Sequence, residues 1–242
     1  PVGLPALDVD QGLVLPCFAD VHTHLDKGHI WPRAANPDGT FAGALATVLS
    51  DREAHWSARD LAARMAFSLA CAHAHGTAAI RTHIDSRPGQ TAFSWPVFAE
   101  VRERWAGRIR LEASPLFAID SALDDAFMAS TLAAVEQHGS GILGAVTYMS
   151  PALRPGLERL FRYAGERGWA LDFHVDESLD PDASSLRMIA GMALEMRFSA
   201  PILVGHCCSL SVQPADEVAR TIDLVADAGI GVVSLPMCNL YL

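Results

Sequence analysis

Apolar residues along this chain fall into two alternating patterns. Short, near-continuous apolar runs recur at Leu13–His24, Thr77–Asp85, Ile109–Phe117, Leu143–Met149, Ala170–Glu177, Ile202–Cys207 and Ile230–Pro236. Continuous rather than alternating apolarity is what a parallel strand covered on both faces requires. Between these runs lie longer segments with apolar residues three to four apart. Ser57–His75 carries Leu61, Met65, Leu69 and Ala72 at helical spacing, with Ser57 placed to cap its start and Gly76 just past its end. Phe93–Trp105, Leu123–His138, Arg154–Arg167, Ser184–Met196 and Gln213–Ala228 repeat the pattern, and Gly139, Gly168 and Gly229 stop three of them.

A strand followed by a helix, repeated seven times without a linker, predicts a parallel sheet. The strand count favours a (β/α) barrel over an open sheet, in one domain over residues 1–242. Such a barrel closes on eight strands. Seven are counted and the chain stops at Leu242, so the expectation is an α/β chain with a (β/α)8 TIM-type barrel truncated after strand seven and an exposed strand edge. The stretch Lys27–Asp51, with Pro32, Pro37, Gly39 and Gly43, reads as a large loop on the face where barrel strands end.

Composition narrows the function classes. Half the residues are apolar, 19% are charged, and the formal net charge is −10. Lys and Arg form no basic stripe, which argues against a nucleic-acid partner. No apolar run approaches the ~18 residues of a membrane span, and no signal-peptide pattern opens the chain. Five cysteines, an odd number with no Cys-x-x-Cys pair, read as reduced thiols. The expectation is a cytoplasmic enzyme acting on a small molecule, with a homo-oligomer left open.

The candidate chemistry sits at the strand ends. His22 and His24 are two apart, so on a strand both imidazoles share one face and can reach one ion. Alone the pair reads equally as two strand-end histidines in ordinary hydrogen bonds. It has company, however: His174 ends the fifth predicted strand and His206 the sixth. In a barrel those ends converge, so three strands deliver four histidines to one region. Glu177, three positions after His174, is a carboxylate placed to move a proton, and Asp176 reads either as structural or as a support. His83, ending the second strand, can orient a ligand or line a substrate pocket. His55, His73, His75 and His138 fall on or near helices and read as structural; His29 lies in the first loop and is undecided.

The segment from Gln11 to Lys27, with His22–Thr23–His24, resembles the first-strand signature of the amidohydrolase superfamily. Arg81–Thr82–His83–Ile84–Asp85, His174–Val175–Asp176–Glu177, Gly205–His206 and Leu235–Pro236–Met237–Cys238–Asn239–Leu240 are together similar to its cytosine-deaminase branch. The resemblance spans nearly the whole chain. It implies a metal-dependent hydrolase barrel flanked by a small β-sandwich built from both chain ends. It also implies one divalent ion, zinc or iron, held by His22, His24 and His174 with an aspartate from strand eight. Glu177 would then carry protons, and His206 would orient the attacking hydroxide. The fourth strand has no lysine, which fits a mononuclear site.

Two departures accompany the likeness. The strand-eight aspartate and most of the sandwich have no counterpart in the 242 residues. Leu116 stands where cytosine deaminases use a glutamine to read the pyrimidine edge, so the expected substrate is a small nitrogen heterocycle other than cytosine. The expected activity is hydrolytic deamination. The alternatives are hydrolysis of an N-alkylamino-triazine or cyclic amide by the same site, purine-type deamination, or a non-catalytic metal-binding homologue.

Overall fold

The computed structural model describes residues 3, 5–36 and 38–240. Its strands are β1 (Phe18–Thr23), β2 (Thr77–Asp85), β3 (Arg110–Leu116), β4 (Ile142–Leu143), β5 (Val146–Thr147), β6 (Ala170–Val175), β7 (Ile202–His206) and β8 (Gly231–Val233). All pairings are parallel. The order is β1-β2-β3 in one sheet and β4-β6-β7-β8 in a second, with β5 also on β6. A bridge from Ala118 to Val146 and the hydrogen bond from Val146 N–H to the Phe117 carbonyl join the two. β4 and β5 are one strand interrupted at Gly144–Ala145. There the space for a Cβ on Gly144 is taken by the Asp172 carbonyl and the Ser114 hydroxyl, so only glycine fits. Seven barrel positions therefore stand in chain order, and among the described residues the sheet is not closed between β1 and β8.

The helices are α1 (Phe41–His55), α2 (Ala58–Ala74), α3 (Thr91–Trp105), α4 (Asp125–His138), α5 (Leu153–Arg167), α6 (Ser185–Glu195), α7 (Ala215–Asp227) and the short α8 (Pro236–Asn239). α2 through α7 cover the outside of the sheet, each after a strand, as the alternating pattern requires. Ser57 caps α2 by accepting from Asp60 N–H, and Gly168 closes α5 in the left-handed region at φ 64°. Among the described residues, no helix is long and apolar enough to cross a membrane.

Three expectations need correction. The run Leu13–Cys17 is not strand: Leu13, Val14 and Leu15 are 91%, 78% and 65% exposed, so apolarity alone did not bring them under a covering helix. The supposed loop Lys27–Asp51 holds most of α1. Thr40 caps it by accepting from Gly43 N–H, and the alanine- and leucine-rich stretch Phe41–Leu49 has strong helix propensity that the flanking Pro and Gly residues masked. The last strand ends at Val233, and Pro236 starts α8 instead of finishing it, since proline suits the first helical turn.

Candidate metal and catalytic site

β1, β2 and β6 bring four imidazoles together at the C-terminal end of the sheet. His22, His24, His83 and His174 each offer a ring nitrogen within 4.8 Å of the others. His174 Nε2 lies 3.1 Å from His22 Nε2 and 3.1 Å from His24 Nε2. A proton on one of these nitrogens can satisfy only one of the two contacts, so a hydrogen-bonded account leaves lone pairs facing each other. Two nitrogens on one zinc-like ion, each about 2.05 Å away and at roughly 90–110°, would stand about 2.9–3.4 Å apart. The observed spacing fits that geometry. The Nδ1 atoms of His22, His24, His83 and His174 are buried without a partner.

Electrostatics favour the same reading. Burial, then the neighbouring imidazoles, with Lys27 also acting on His22 and His24, pulls His24 and His174 far below the usual histidine range and His22 to about 2. These rings are neutral at physiological pH, and neutral imidazole is the form that donates a lone pair to a cation. The packing is specific as well. A Cβ on Gly205 would lie 2.7 Å from the His22 ring, so β7 passes close behind His22 only because residue 205 is glycine.

Beside this cluster stand a carboxylate and a further imidazole. His206 Nδ1 is 3.0 Å from Glu177 Oε1 and hydrogen-bonds the side-chain oxygen of Asn239 at 3.3 Å; an amide oxygen only accepts, so the ring nitrogen carries the proton. Asn239 of α8 donates through Nδ2 to Glu177 Oε1 at 3.0 Å. The backbone bends sharply here: Asp176, His206 and Cys207 have φ of 46°, 73° and 53°. Left-handed conformations in non-glycine residues cost about 1–3 kcal/mol each and persist where surrounding contacts impose them. At Asp176 those contacts are visible, because its carboxylate accepts from Ser185 and Leu186 N–H at 3.1 Å each and anchors the start of α6. Asp176 thus has a structural place, and the bend it stabilises carries Glu177 toward the cavity.

A cavity of about 630 Å3 opens over these groups. His24, His174, Glu177 and His206 are on its wall, with Leu116, Val146, Tyr148 and Met149, and with Phe41, Ala44 and Leu45 from α1. Leu116 therefore lines the cavity. His83 does not: it is fully buried under His22, with ring centroids 4.3 Å apart, and is off the cavity wall. The expectation that it touches substrate is corrected to a place inside the imidazole cluster, because its side chain points into the interior two residues before β2 ends. His29, His55, His73, His75 and His138 lie outside the cluster. Reading the sequence missed Asn239 and Asp172. Asn239 was inside a quoted motif, but nothing marked it as a partner for Glu177.

No family model matches the chain. It is 52% identical over 242 residues to a pterin deaminase of Rhizobium rhizogenes, covering 100% of this chain and 55% of that protein. The chain thus spans about half the length of the curated relative it matches. A 5-methylcytosine deaminase from Klebsiella pneumoniae, liganded with phosphonocytosine, superposes with a TM-score of 0.86 at 21% identity, over 100% of this chain and 60% of that one. N-isopropylammelide isopropylaminohydrolase from Burkholderia multivorans gives 0.76 at 23% identity, over 95% of this chain and 60% of that one. The barrel architecture is shared by these solved structures, which are a deaminase and an aminohydrolase, and the curated relative is a deaminase.

Proposed function

We propose that this chain forms the catalytic barrel of a metal-dependent aminohydrolase that removes an amino group from a bicyclic heteroaromatic ring of the pterin class. The observation that carries the reading is the Glu177–His206 pair, 3.0 Å apart on the wall of a cavity that His24 and His174 of the imidazole cluster also line. Metal binding alone needs neither residue, which disfavours a non-catalytic homologue. The pterin deaminase relative and the apolar Leu116 at the position of a pyrimidine-reading glutamine support a substrate other than cytosine. The cavity volume lies in the usual range for small-molecule sites.

His22, His24 and His174 would hold the ion. When bound, a divalent cation supplies Lewis-acid polarisation and a water acidified toward neutral pH. Glu177 takes one proton of the attacking water at its cavity-facing carboxylate and delivers it to a ring nitrogen of the substrate; the ring carbon gains the C–O bond, the second proton of that water passes to the amino group, and the C–N bond breaks to release ammonia. His206, its Nδ1–H bonded to the Asn239 side-chain oxygen beside Glu177, presents the buried and otherwise unpartnered Nε2 to orient the attacking water. Asn239 holds Glu177 in place. Leu116 and the α1 side chains Phe41 and Leu45 supply an apolar wall for a flat ring. Zinc and iron both suit nitrogen ligands of this kind.

The test is ammonia and amine release by the metal-loaded protein on pterin, guanine, cytosine and N-isopropylammelide. Pterin should be preferred. A preference for cytosine, or amine release from N-isopropylammelide as the main activity, would reject the substrate class. Glu177→Gln should retain the metal and lose turnover by ~10² or more; full activity in that variant would remove Glu177 from the mechanism.

A further inference from the structure

The cavity wall carries few groups free to donate a hydrogen bond to a substrate. The Thr147 hydroxyl already donates to the His174 carbonyl at 3.0 Å. The Tyr148 hydroxyl is bonded to the Asp120 carboxylate, which only accepts. The histidines and Glu177 on the wall serve the ion and the attacking water. Ser178 and Cys238 offer neutral, weaker donors. Among the described residues, Lys27 is the only lysine or arginine that lines the cavity.

Lys27 is also held from behind. It follows β1 through a tight turn, its N–H donating to the His24 carbonyl at 3.2 Å. Its Nζ lies 2.8 Å from Asp85 Oδ1 at the end of β2. Asp85 is buried, lies off the cavity wall and also pairs with Arg52 of α1. Two cations thus share one carboxylate, and Asp85 fixes Lys27 without occupying all three of its N–H donors. The Lys27 side chain is 25% exposed, against 6% for Asp85, so it is the lysine that a ligand can reach. Its charge is felt at the imidazoles, where it helps to lower the proton affinity of His22 and His24. Donors facing a mostly apolar cavity gain most from an acceptor that the ligand brings.

We propose that Lys27, positioned by Asp85, is the specificity residue that reads the ring carbonyl of the substrate, so that the site selects amino-oxo rings over their diamino counterparts. The proposal rests on the pterin-class reading above and names the part of the ring that is recognised. A carbonyl oxygen accepts from the ammonium. An amino group in its place turns N–H donors toward a cation and leaves both sides unpaired, which is where discrimination between substrates is steepest. The charge also acts during the reaction. As oxygen adds to the amino-bearing carbon, electron density moves through the conjugated ring toward the carbonyl, and a fixed cation there stabilises it.

Ring fluorescence measures binding without turnover in metal-loaded protein carrying Glu177→Gln. That protein should bind pterin ~10-fold or more tightly than 2,4-diaminopteridine. Adding Lys27→Met keeps an apolar stem and leaves Asp85 its partner Arg52. It should weaken pterin binding by ~10- to 100-fold, change 2,4-diaminopteridine by less than about 3-fold, and so erase the preference. Lys27→Arg, which retains the charge and donors, should keep most of it. In protein with Glu177 intact, Lys27→Met should lower kcat/KM for ammonia release from pterin by at least the loss in binding. A preference that survives Lys27→Met, or an equal loss on both rings, would overturn the role of Lys27 and leave the pterin-class reading standing. Neither binding nor ammonia release with pterin would overturn both.

Discussion

The two halves of the sheet are built alike yet contribute differently. The first, β1-β2-β3 with α2 and α3, is cored by Leu61, Met65, Leu69, Ile84, Trp95 and Phe98. The second, β4 to β8 with α5, α6 and α7, is cored by Phe117, Leu157, Leu160, Phe161, Phe173 and Ile189. These apolar clusters are separate, with Trp169 packed against both. Close to the site, the contacts between halves are polar: His22 and His24 meet His174, while Arg81 and His83 meet Asp172. The first half donates three imidazoles; the second donates the fourth and the Glu177–His206 pair. Hydrophobic burial shapes each half without joining them at the site, so the seam is free to hold groups that packing alone would exclude.

The largest blow to that arrangement should come at Asp172. Asp172→Ala leaves Arg81 and His83 without their buried anion, and urea unfolding should show a loss of about 3–5 kcal/mol. A change under about 1 kcal/mol would mean that the seam ion pairs contribute little. Next, an ion bound across the seam should stabilise both halves together. Zinc at 100-fold over its dissociation constant should raise the unfolding free energy by about 2.7 kcal/mol, reversed by a chelator. If differential protection in hydrogen exchange rose only in β1 and β2, the ion would not bridge.

Smaller changes test the separateness of the cores. Ile84→Val and Ile189→Val, both at fully buried positions, should each cost about 0.5–1.5 kcal/mol. Together they should add within about 0.5 kcal/mol, and a larger coupling would argue for one continuous core. The smallest effect concerns α1, tied to the first half by Arg33, which bonds Asp51 and Asp60. Hydrogen bonds from Arg33 lower the pKa of both carboxylates. Their stabilisation is therefore fully present above the unfolded value near 3.9 and is lost as pH falls below it. Melting temperature should drop modestly between about pH 4 and pH 2.5, and Arg33→Gln should flatten that part of the profile.

The strand-and-helix alternation was legible because parallel strands covered by helices need continuous apolar runs and amphipathic partners, and Ala170–Val175 or Ile202–His206 show little else. Leu13–Cys17 has the same apolarity without a covering helix, which local sequence does not reveal. Helix α1 was hidden because the turn-forming residues around it outweighed its alanines. At the site, His22, His24, His174, Glu177 and His206 could be picked out because strand ends are where a barrel collects reactive groups. Asn239 could not, since its bond to Glu177 spans 62 positions of sequence.

The sequence by itself determined which residue types reach the strand ends and which faces the strands and helices bury, because those depend on short-range periodicity. Only the tertiary structure decided how they meet. It moved His83 from the cavity wall into the imidazole cluster and committed its far nitrogen to Asp172, 89 positions away. It also turned Glu177 and His206 toward each other through backbone bends that local preference disfavours. Those outcomes depend on strand pairing and on the space left between two cores, quantities set by long-range packing and not by any local stretch of chain.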